Sequence, residues 1–66
     1  MEPKYPDIAV ELTGHDGNVF NVIGRVRKAL MRKVGKEEAD AFVKEATSQK
    51  SYDDVLQCAF RWVEIE

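Results

Sequence analysis

The chain has 66 residues, 44% of them hydrophobic and 33% charged, with a formal net charge of −2. This is the composition expected of a folded soluble domain, not of a disordered segment, and a chain this short buries only about 60% of its unfolded surface. The single cysteine excludes an internal disulfide, and no apolar run approaches the length of a membrane span. The start, MEPKYPD, is polar and broken by prolines, so it does not read as a signal peptide, and the expected location is cytoplasmic.

Residues 1–6 read as a flexible N-terminal tail, biased toward extended structure by Pro3 and Pro6. Residues 7–66 read as a single small globular domain. In Asp7–Leu12, Ile8, Val10 and Leu12 alternate with Asp7, Ala9 and Glu11, which is the period of a half-buried strand. Thr13–Gly17 is a turn cluster with two glycines. A glycine-rich turn entering a helix can hold an anion on free backbone N–H groups. Here there is no phosphate-loop lysine pattern, and Asp16 repels a phosphate. Asp16-Gly17-Asn18 matches part of a calcium loop, but the spaced acids and the closing glutamate are missing. His15, the only histidine, reads as a loop residue.

Gly17–Gly35 reads as the longest helix, with Asp16 or Asn18 placed to cap it and Gly35 placed for a left-handed residue after its end. At about 100° per residue, Val19, Val22, Ile23, Val26, Ala29, Leu30 and Val34 share one broad arc, with Phe20 and Met31 at its margin. Asn21, Arg25, Lys28 and Arg32 share the opposite face. Between Gly17 and Lys36 there are six cations (Arg25, Arg27, Lys28, Arg32, Lys33, Lys36) and no acid, whereas the segments on either side are acidic. Internal charge balance is the plain reading; an exposed basic stripe for an acidic partner is the functional one. Arg27 falls inside the apolar arc. Its head must reach water or a carboxylate from the second half of the chain, or else it anchors a partner together with Phe20 and Met31. Gly24 lies mid-helix at a cost of about 1 kcal/mol relative to alanine, so a backbone or an aromatic ring is expected to pack close to it.

Glu37 and Glu38 suit the first turn of a second helix, in which Ala39, Phe42, Val43 and Ala46 form an apolar face ending near Thr47. Ser51 then reads as the cap of a third helix, with Asp54 in the capping-box position. Its apolar face is Tyr52, Val55, Leu56, Ala59 and Val63, widened by Phe60 and Trp62, with Cys58 at the margin as a small buried hydrophobe. The ending Trp62-Val-Glu-Ile-Glu switches to alternation and reads as a second short strand. Two terminal strands, each too short alone, are best explained by pairing with each other. The expected fold is therefore α+β, in the order β-α-α-α-β, with three helices on one face of a two-stranded ribbon whose orientation stays open. The expected core is Ile8, Val10, Leu12, Val22, Ile23, Val26, Leu30, Phe42, Val43, Val55, Leu56, Ala59, Val63 and Ile65.

Catalysis is not expected. Nucleophilic chemistry needs a nucleophile with a base and an orienting group, and the one cysteine and one histidine lie on a buried helix and a turn. A structural zinc needs about four Cys or His ligands, more than the chain has, and no cofactor motif is present.

The run Leu12-Thr13-Gly14-His15-Asp16-Gly17-Asn18 is followed by Ile23-Gly24-Arg25-Val26, Glu45-Ala46-Thr47-Ser48, Tyr52-Asp53 and Trp62-Val63. Together these resemble a family of short bacterial and phage proteins with an LTGxDGN segment. The resemblance spans most of the chain from Asp7 onward and implies an independent small domain. The family has no assigned activity, so no cofactor or site residue carries over.

Two functions fit these residues. The first is a protein-interaction module, self-association being one form of it, motivated by a small core, open strand edges and the aromatics Phe60 and Trp62. The second is weak nucleic-acid binding through the basic face of the long helix. A sequence pI near 5.4 and the lack of a recognisable nucleic-acid motif weigh against it. The candidate partner-binding residues are Arg25, Arg27, Lys28 and Arg32.

Overall fold

Alternation in the first element and a longer period in the next three build the fold. The structure, a computed structural model, describes residues 2–11 and 19–66. Strand β1 (Tyr5–Val10) buries Ile8 and Val10 and exposes Asp7 and Ala9. Helices α1 (Val19–Lys33), α2 (Lys36–Thr47) and α3 (Tyr52–Trp62) follow, and β2 (Val63–Ile65) closes the chain beside β1. The order is β-α-α-α-β, a small α+β fold with both strands in one sheet.

The strands pair in parallel, with Tyr5 opposite Val63 and Ala9 opposite Glu64. The register is irregular between Tyr5 and Ala9, the span that holds Pro6. Proline has no N–H to give to a ladder and is tolerated only at edges and bulges. A parallel pair needs a long crossover connection, which the helices supply.

β1 begins at Tyr5, inside the segment read as a tail. Two prolines hid this start, and the contacts that hold it are distant in sequence. The Lys4 N–H donates to the Arg61 carbonyl at 2.8 Å. The Lys4 ammonium lies 4.7 Å from the centroid of the Trp62 ring and 2.6 Å from Glu38. The Tyr5 hydroxyl donates to Glu38 at 2.5 Å, and its ring stands 6.2 Å from that of Trp62.

The core unites all five elements. Val26, Leu30, Phe42, Val63 and Cys58 are its largest fully buried side chains. Of the expected core, Val43, Leu56 and Ile65 are only partly buried against it, and Ala39, Ala46, Cys58 and Trp62 join it. Phe42 meets Trp62 edge-on at 5.7 Å between centroids. Ala39 and Ala46 lie on the apolar face that the helical period predicts for α2, and they are small enough for helices to approach closely.

Caps set the helix limits. The Ser51 side chain accepts from the Asp54 N–H at 3.2 Å, the bond the capping pattern foretold. The Leu30 carbonyl accepts from both Val34 and Gly35 as α1 ends. Gly35 has φ 142 and ψ 173, a positive φ as expected. The position is not left-handed helical, however, but the mirror-extended region essentially reserved for glycine. Leu12 of the expected core, the Thr13–Gly17 turn with its anion and calcium readings, His15 and the Asp16 or Asn18 cap lie outside the described residues.

Candidate functional site

Helix α1 has three faces. Val22, Ile23, Val26 and Leu30 are buried. Roughly a quarter of a turn away, Phe20, Arg27 and Met31, with Val34 just past the helix end, form a second stripe, all exposed. Phe20 is the most exposed of them at 74%. On the remaining side stand Arg25, Lys28 and Arg32, also exposed. The helix is therefore less covered than its wide apolar arc implied: only the side centred on Val26 is buried.

The four candidate cations divide accordingly. The Arg27 guanidinium stands 3.9 Å from the Asp40 carboxylate of α2, with both side chains about half exposed. This is one of the outcomes expected from its position in the apolar arc, a carboxylate from the second half of the chain. Arg25, Lys28 and Arg32 point elsewhere and share one groove with β1. Ala9, Val10 and Glu11 line its other wall, the half-buried Ala29 lies between, and its volume is about 230 Å³. A neighbouring depression carries the same junction toward the start of β1, where Tyr5–Ile8 face Lys33 and Val34. Late α1 residues thus stand beside early β1 residues, so α1 runs antiparallel to β1. Lys28, Arg32 and Lys33 have no carboxylate within 4 Å among the described residues.

The edge of β1 in this groove is one the sequence did not single out. β2 pairs with one side of β1, and no other strand exists among the described residues. Exposed strand edges were foreseen in general. That the basic stripe of α1 stands beside Ala9–Glu11 follows from helix placement alone.

Elsewhere the polar groups are structural. The Glu45 Oε2 accepts from Cys58 Sγ at 3.0 Å, Trp62 Nε1 at 3.3 Å and Arg61 at 3.5 Å. The Cys58 bond, then those of Trp62 and Arg61, hold the Glu45 carboxyl below its usual range. Burial, reinforced by the Glu45 bond, pushes the Cys58 thiol up to about 12, and a thiol that rarely ionises is a poor nucleophile. Cys58 is therefore buried as expected, but as a hydrogen-bond donor and not merely as a filler. Trp62 is buried too, so of the two aromatics near the chain end only Phe60 reaches the surface, 44% exposed. Among the described residues no group of three or more His, Cys, Asp or Glu is placed to hold a metal ion. No described helix is long and apolar enough to cross a membrane.

The expectation at Gly24 fails. Among the described residues nothing lies within 4 Å of a Cβ built there, and Gly24 is exposed. Among the described residues no close approach offsets its helical cost.

Compared with family models, curated proteins and solved structures, the chain finds no match.

Proposed function

We propose that the chain is a small, non-enzymatic protein-binding module of the cytoplasm. Its docking side is where the open edge of β1 meets the cationic stripe of α1. The observation that carries this reading is the groove between Ala9–Glu11 and Arg25, Lys28 and Arg32. It combines backbone groups able to pair with a partner strand and cations able to select an acidic one. Arg27 stands outside it, 3.9 Å from Asp40. The test compares proteins recovered from a host extract by the wild type and by Lys28→Glu/Arg32→Glu, with circular dichroism confirming that the variant is folded. The reading expects a partner lost on charge reversal. Equal recovery by both proteins refutes it. Sedimentation across concentrations asks whether a second copy is that partner.

Weak nucleic-acid binding keeps one observation in its favour, the exposed row Arg25, Lys28 and Arg32. Glu11 in the same groove and the net charge of −2 oppose it. Titration with a labelled duplex decides. Real binding weakens steeply with salt, in proportion to the phosphates neutralised, and absence of binding at low salt removes this reading.

A further inference from the structure

We propose that the partner of this module is an extended acidic peptide. It adds to the open edge of β1 as a third strand and sends alternate Asp or Glu side chains to Lys28 and Arg32 of α1. The inference rests on the protein-binding reading and names the chemistry of what is bound.

The backbone of β1 comes first. The Val10 carbonyl is turned toward β2, where it accepts the Glu66 N–H at 2.9 Å. Backbone groups alternate sides along a strand. Those of Ala9 and Glu11 therefore face the opposite edge, where no strand lies among the described residues. An extended peptide laid there gains main-chain hydrogen bonds whatever its sequence, and pockets for alternate side chains give it specificity. The register of β1 is irregular between Tyr5 and Ala9, so the regular edge is confined to its last residues and the motif is short.

The wall supplies the selection. Arg25, Lys28 and Arg32 recur at helical spacing along the side of α1 that faces this edge, and Lys28 and Arg32 are without a carboxylate within 4 Å among the described residues. Side chains of an added strand point alternately to its two faces. Those on the α1 side meet cations and favour Asp or Glu. Those on the other face lie beside the exposed Asp7, where like charges across strands are unfavourable. Neutral or basic residues fit there. Glu11 lines the groove itself, so the acids of the peptide are placed toward Lys28 and Arg32 and away from it. The partner motif is acidic at every second position, not uniformly acidic.

The same rule argues against a second copy. Two β1 edges paired about a two-fold at Ala9 place Asp7 directly opposite Glu11 of the other molecule, a repulsive cross-strand pair.

The experiment titrates the full chain against a fluorescent octapeptide of alternating Thr and Glu. Two further peptides are N-methylated at all Thr or at all Glu, so that each loses the N–H donors of one edge. The expected result has three parts. One methylated peptide binds about tenfold more weakly than the other. The Ala9 and Glu11 amides shift and gain protection from exchange. Lys28→Glu/Arg32→Glu loses about tenfold in affinity, and Lys28→Gln/Arg32→Gln serves if the reversal unfolds the domain. If both methylated peptides bind as well as the parent, contact is by charge alone; strand addition is overturned and the protein-binding reading stands. If no peptide perturbs Ala9 or Glu11, the inference falls, and if charge reversal also leaves partner recovery unchanged, the protein-binding reading falls with it. A concentration-dependent dimer that excludes the peptide, or a duplex that binds in its place, also overturns it.

Discussion

Replacing Gly24 by alanine should stabilise the protein. Gly24 lies inside α1, is exposed, and has nothing among the described residues within 4 Å of the added methyl group. The methyl group removes unfolded-chain freedom and meets no clash, which favours the helix by about 0.8–1.0 kcal/mol. Unfolding entropy of about 2.1 cal/mol/K per residue gives roughly 140 cal/mol/K for this length. A gain of about 1 kcal/mol then raises the Tm by roughly 7 °C. Thermal unfolding followed by circular dichroism at 222 nm, with urea titration beside it, measures both quantities. Gly35→Ala is the matched control. It forces a side chain into φ 142, ψ 173 and should lower stability by about 1–3 kcal/mol. A Tm unchanged or lowered by Gly24→Ala would refute the reasoning and show that some part of the chain closes on this glycine.

Leu30→Ala empties a fully buried site and should cost about 2–5 kcal/mol. Urea unfolding reads this against a total near 5 kcal/mol, and a loss below about 1 kcal/mol would mean that the site collapses. Arg27→Met removes a half-exposed ion pair worth under about 1 kcal/mol; the variant should remain folded with nearly unchanged stability, and an unfolded variant would expose a polar network around Arg27. Cys58, with its thiol pushed up to about 12, should be alkylated by iodoacetamide at pH 8 only as fast as the protein opens. Labelling at the rate of a free thiol would contradict its burial. Glu38 beside Lys4 and Tyr5, and Glu45 beside Cys58, Trp62 and Arg61, are held below the ordinary value of 4.5. Their folded-state values lie below the unfolded ones, so their stabilisation is complete above pH 4.5 and is lost as pH falls through the folded values. Glu45→Gln should flatten the acid limb of a stability–pH curve, and an unaltered limb would count against the three-donor arrangement.

Local pattern determined much of this protein. Alternation around Ile8 and Val10, helical spacing of Val22, Val26 and Leu30, and the Ser51–Asp54 cap all depend on neighbours a few residues away, so the order β-α-α-α-β and most of the core were legible. The tertiary structure decided the rest, because it depends on how the helices fit together. Parallel pairing of β1 and β2 follows from the combined turns of three helices, which no single element records. Lys4 and Tyr5 reach Glu38 and Trp62 across more than thirty residues, so two prolines could disguise an ordered strand start as a tail. Gly24 looked like a contact point because its helical cost is visible in sequence, while the exposed surface beside it is not. The stripe Arg25, Lys28 and Arg32 was readable from spacing. That it stands beside Ala9–Glu11, while Arg27 turns to Asp40, depends on which face of α1 the core claimed. Burial of Val22, Val26 and Leu30 against α2, α3 and β1 outweighs any preference of the surface cations, and they go where the packed face leaves them.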